Sequence, residues 1–232
     1  MSGGVLGVAL RRIGVSLPLI FLVSVLVFVV LRLIPADPVA MSVPPNATRA
    51  EIEALRAEMG LTLPIHEQFL IWFGKAAQAD FGRSIAFAQP VARLIGQALP
   101  ATIELVLTAA VFATIIGLAG GLLMYRLAGR RGEAASDLAS TLIMSIPEFL
   151  WAIFFILLFG VALNILPFTG RLDAGITVDR ITGFLLVDTL LQGRFGAFAN
   201  AVSHLLLPSM SLALGTAPLL MRVLRSSLME VG

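Results

Sequence analysis

The chain has 232 residues; 58% are hydrophobic, 21 are glycine and only 13% are charged. A soluble domain carries about 25% charged residues and could not bury this much apolar surface, while disorder needs low hydrophobicity with high net charge. A mean hydropathy of +0.97 with a net charge of +2 leaves an integral membrane protein.

The gaps between charges have membrane length. A helix rising 1.5 Å per residue needs about 20 residues to cross a hydrocarbon core of about 30 Å. The first uncharged run, 13–31, predicts a first transmembrane helix, preceded by a short tail with Arg11 and Arg12. It exceeds the apolar stretch of a cleaved signal, about 7–15 residues, so an uncleaved helix is expected. Residues 1–31 form this first section.

Residues 32–101 are expected to be an external amphipathic segment. Thr48 and Glu51 fit a capping box. Ile52, Leu55 and Met59 recur at helical spacing, and Gly60 stops that helix. A second helix starts near Pro64, with Ile65, Phe69, Trp72, Phe73 and Ala76 on one stripe. These two helices read as a lid or lateral support, or as the border of a pathway mouth.

Residues 102–232 read as a core with three further spans, near 102–125, 138–166 and 204–221. In the first of these, Ala109, Ala113, Gly117 and Gly121 recur every four residues. Gly117 and Gly121 suit close helix packing, either in a transport core or as generic membrane packing. The second carries Ser145-Ile146-Pro147-Glu148. Ser145 as N-cap with Glu148 three residues on is a capping box, which places Glu148 near the membrane interface. The rival is a proline kink inside a longer span, which makes Glu148 a buried pathway carboxylate. The capping reading is preferred. Between the last two spans, residues 171–200 are polar at both ends and apolar at the centre except for Asp188, which predicts a short external element.

Orientation follows from Arg and Lys density. With the N-terminus inside, the inner segments 1–12, 126–137 and 222–232 hold 7 in 35 residues, against 9 in 107 for 32–101 and 167–203. The expectation is an all-α, polytopic transmembrane helix bundle with amphipathic external helices, its N-terminus cytoplasmic.

Nothing predicts catalysis or a cofactor. The chain has no cysteine, only His66 and His204 as histidines, no serine-hydrolase or metalloprotease motif, and no phosphate-binding loop around Lys75, the single lysine. No basic cluster suits nucleic acid. A membrane-embedded enzyme using Glu148 would need a second buried polar group beside it.

Eight stretches in order resemble the permease subunit of ABC importers of the dipeptide, oligopeptide and nickel class. They are I-P-A-D-P at 34–38, G-L-T-L-P at 60–64 followed by Gln68, D-F-G-R-S at 80–84, and L-P-A-T-I-E-L at 99–105. S-I-P-E-F follows at 145–149, L-P-F-T-G at 166–170, H-L-L-L-P at 204–208 leading into L-A-L-G at 212–215, and finally 222–231. The resemblance implies ATP-driven alternating access for peptides or a related small solute in a bacterial inner membrane. It implies a second permease subunit, ATP-binding subunits that carry the hydrolysis, an external solute-binding protein and contact with membrane lipid. A non-ABC secondary transporter or channel is the alternative. The resemblance also implies a cytoplasmic coupling loop and two more helices beyond Gly232, so these residues are expected to be the first two-thirds of such a permease. Arg222, Arg225 and Glu230 would then lead into the coupling region.

Overall fold

The computed structural model describes residues 5–33, 39, 43, 46–58, 60–84 and 86–231. The quoted stretch 34–38 and Met59 lie outside them. The chain divides into two compact units, Met1–Ile95 and Gly96–Gly232.

In the first unit, α1 (Val5–Leu33) is a long apolar helix that contains Pro18. α2 (Arg49–Glu58) starts on the expected capping box. The Glu51 N–H donates to Thr48 Oγ1 at 3.3 Å, and the Thr48 N–H donates to Glu51 Oε2 at 2.7 Å. The Thr48 main-chain N–H and hydroxyl hold the Glu51 carboxyl below its ordinary value. Gly60 then takes a left-handed φ of +68°, which few other residues adopt without strain. α3 (Ile65–Ala76) follows Pro64. Its stripe packs on α1: Phe69 meets Phe21 and Phe28 edge-on at 5.6 and 5.5 Å, and Phe73 meets Phe21 at 5.3 Å. These ring contacts join α3 to α1 within the first unit.

In the second unit, α8 (Phe195–Val231) is the central element. α5 (Glu133–Ser145), α6 (Glu148–Phe155) and α7 (Leu185–Leu191) all pack against it. α4 (Val91–Leu127) joins it through a core of Met124, Ala217, Met221 and Ile116. α4 begins eleven residues ahead of the expected 102, because Pro100 lies inside the helix instead of near its start.

Among the described residues, three helices, α1, α4 and α8, are long and apolar enough to cross a membrane. The expected continuous span 138–166 is corrected. α5 and the segment Glu148–Ala162, which is α6 plus a π-helical turn at Ile156–Ala162, meet at a bend of 94°. The cause is local. Ile146 precedes proline, which disfavours helical backbone, and takes an extended φ of −88° and ψ of 120°. With this pair counted as one broken span, there are four.

Candidate functional site

Polar side chains gather along α8 at three levels. At its N-terminal half, Glu104 of α4 is only 6% exposed. One carboxylate oxygen pairs with the Arg171 guanidinium, and the other accepts the Leu186 N–H at 2.7 Å. A single carboxylate thus joins α4, the loop after the π turn and the first turn of α7. Asp173 and Asn200 bond reciprocally, with the Asp173 N–H donating to Asn200 Oδ1 at 2.9 Å and the Asn200 amide donating back to the carboxylate. His204 is buried; its Nδ1 lies 2.9 Å from the Asn200 carbonyl, which makes that nitrogen the donor, and its Nε2 lies 3.5 Å from Asp173. Between these groups is a cavity of about 250 Å³, lined by Glu104, Arg171, Leu186, His204 and Pro208 among others.

Asp188 in α7 pins the preceding loop. It accepts the Thr182 hydroxyl at 2.6 Å and the N–H groups of Thr182, Gly183 and Ile181 at 2.7, 3.0 and 3.3 Å. Burial pushes its carboxyl up, but these four bonds onto the charged form outweigh burial and hold it below its ordinary value.

At the middle level, the structure corrects the capping reading of Ser145 and Glu148. Ser145 ends α5, and its hydroxyl donates to the Thr141 carbonyl at 2.8 Å. Pro147 holds the N-cap position, makes no side-chain cap bond, and leaves Glu148 as the first residue of α6. Proline has no side-chain acceptor for a helix N–H, so no capping box can form there. The Trp151 indole spans the bend and donates to the Ile143 carbonyl at 3.3 Å. The Glu148 side chain lies against α8, where a Cβ built on Gly215 would overlap its carboxylate. Among the described residues, no hydrogen bond or ion pair engages that carboxylate.

α4 closes on α8 through glycine. A Cβ on Gly117 would sit 2.6 Å from Leu220 Cβ, and one on Gly121 would sit 3.0 Å from both Leu224 Cβ and the Met221 carbonyl. Ala109, Ala113, Gly117 and Gly121 are all buried.

At the C-terminal end, Arg225 pairs with both Glu133 and Asp137 of α5. Arg222 donates to Thr141 Oγ1 at 3.0 Å. Glu230 is exposed. Arg225 is therefore engaged within the chain. Sequence reading missed Glu104, Arg171, Asp173 and the role of Asp188. Glu104 stood in the first turn of a helix expected to start at 102, where an acidic residue is unremarkable; the earlier start of α4 places it deep in the helix.

Comparison with known proteins is consistent across the chain. The family model described as the N-terminal part of the membrane component of binding-protein-dependent transport systems matches residues 5–106. A di/tripeptide transport system permease protein of Pseudomonas aeruginosa is 37% identical over 225 residues, covering 95% of this chain and 66% of that protein. A dipeptide transport system permease protein of Escherichia coli is 35% identical over 231 residues, covering 96% and 67%. A probable D,D-dipeptide transport system permease protein of the same organism is 34% identical over 209 residues, covering 90% and 62%. The chain spans about two-thirds of the length of these curated relatives.

Proposed function

We propose that this chain, which belongs to the family of membrane components of binding-protein-dependent transport systems, forms part of the solute path of an ABC importer for peptides. The observation that carries the reading is the identity to di/tripeptide and dipeptide permeases across nearly the whole chain. The arrangement around α8 agrees with it. Long apolar helices are closed by a glycine seam, and the polar groups hold elements together instead of forming a nucleophile–base pair. A non-ABC transporter or channel has no comparable support.

In this reading the protein is multi-pass in a bacterial inner membrane. A second permease completes the path, separate subunits bind and hydrolyse ATP, and an external binding protein delivers the solute. The N-terminus is cytoplasmic, because Arg and Lys are denser in 1–12, 126–137 and 222–232 than elsewhere. The end of α8 leads toward the ATP-binding subunits; Arg222 and Arg225 set its angle through α5, and exposed Glu230 faces outward.

The test is affinity purification of the native permease from its own membrane. ATP-binding subunits should co-purify, and peptide delivered by the binding protein should stimulate their ATPase activity. Purification without any ATP-binding subunit would favour a secondary transporter or channel. Sidedness is read from single cysteines, clean here because the chain has none. A cysteine at Thr48 should react with an external impermeant reagent, and one at Ser136 should not; the reverse pattern would invert the orientation.

A further inference from the structure

Glu148 of α6 lies beside the middle of α8, and no described residue engages its carboxylate by a hydrogen bond or ion pair. Its carboxylate lies on the α8 backbone at Gly215, where only a hydrogen leaves room for it. Gly215 is seven residues before Arg222, about 10 Å along the helix, inside the uncharged run 195–221. Neither nearby arginine forms an ion pair with it: Arg225 is paired with Glu133 and Asp137, and Arg222 donates to Thr141. The side chain is also exposed on the chain's surface.

An acidic side chain facing lipid at depth is costly, and such groups turn toward a water-filled cavity instead. A carboxylate to which no described residue supplies a donor or a cation suits a ligand that only donates and is positive. A primary ammonium, with three N–H donors and no acceptor, fits.

We propose that Glu148 faces the solute path and holds the ammonium group of a passing solute, the amino terminus of a peptide, against α8 at Gly215. This rests on the permease reading and assigns one end of the solute to one residue.

The experiment uses the native importer reconstituted in proteoliposomes with its binding protein, with dialanine as solute. ATP-dependent uptake by the wild-type importer tests the permease reading by itself. Given that uptake, Glu148→Gln should lower the rate at least tenfold in complexes assembled to the wild-type level, and Glu148→Asp should recover most of it. Gly215→Ala keeps the charge but pushes the carboxylate off the helix, so it should lower the rate about threefold. Independently of transport, Glu148→Cys in the assembled complex should react with an impermeant cationic methanethiosulfonate, and dialanine should slow the reaction. Reaction only with a lipid-soluble maleimide would overturn the proposal, because the residue would then face lipid. Wild-type uptake by Glu148→Gln would equally overturn it, because the charge would then do nothing. Should Glu148→Gln fail to assemble, the cysteine labelling and Gly215→Ala decide the matter.

Discussion

The two ends of α8 are fastened by different chemistry. At the N-terminal half, buried carboxylates act on main-chain donors: Glu104 accepts the Leu186 N–H, and Asp188 accepts three successive N–H groups. At the C-terminal end, Arg225 pairs with Glu133 and Asp137, whose side chains are 34% and 44% exposed. The first kind fixes the loops that hold α7 in place through buried main-chain hydrogen bonds that salt screens little, with the Glu104 ion pair to partly exposed Arg171 added to them. The second ties two helices by charge in partial contact with solvent, where screening weakens it. Salt should therefore loosen the C-terminal end more than the N-terminal half.

The comparison breaks most readily at Glu104. Glu104→Ala leaves the Leu186 N–H and Arg171 unpaired and should cost about 2–4 kcal/mol. Tryptic cleavage after Arg180 should accelerate at least tenfold. An unchanged cleavage rate would mean that the loop is held by other contacts.

The seam between the ends comes next. Gly117→Ala drives a Cβ into Leu220 and should cost about 1–3 kcal/mol as overpacking. Gly120→Ala meets only the flexible Met221 side chain and should cost less. Apparent Tm in detergent ranks the two, and equal values would show that α4 can slide on α8.

Asp188→Asn sharpens the contrast through pH. The folded carboxyl titrates below its unfolded value of about 3.9. Its contribution, about 1–2 kcal/mol from the bonds it accepts, is therefore fully present above about pH 5. It is lost as pH falls through the folded value. The Tm gap between wild type and Asp188→Asn should be constant from pH 7 to about 5 and close below about 4. A gap that widens on acidification would contradict the sign.

Arg225→Ala should have the smallest effect, about 1 kcal/mol. Most of it should vanish in 1 M salt, whereas the cost of Glu104→Ala should persist there.

The helices were largely legible in the sequence because their signals are local. The gaps between charges located α1, α4 and α8, the Thr48–Glu51 pair announced α2, and the aromatic stripe announced α3. The bend at Ile146–Pro147 was harder to read, because Ser145-x-x-Glu148 and a pre-proline break share the same letters. The outcome turned on whether Ser145 belonged to the helix before or the helix after. The fastenings were not legible at all. Arg171 and Glu104 stand 67 residues apart, and Arg225 and Glu133 stand 92 apart. No periodicity links such pairs, and a charge count assigned both arginines only to the membrane flanks.

The proposed ATP-driven peptide path is tested by dialanine uptake into proteoliposomes holding the native permease with its ATP-binding and solute-binding partners, with ATP inside, compared with liposomes lacking this permease alone. ATP-dependent accumulation is expected only when the permease is present. Accumulation driven by an ion gradient without ATP, or equal ATP-dependent uptake without this chain, would contradict it.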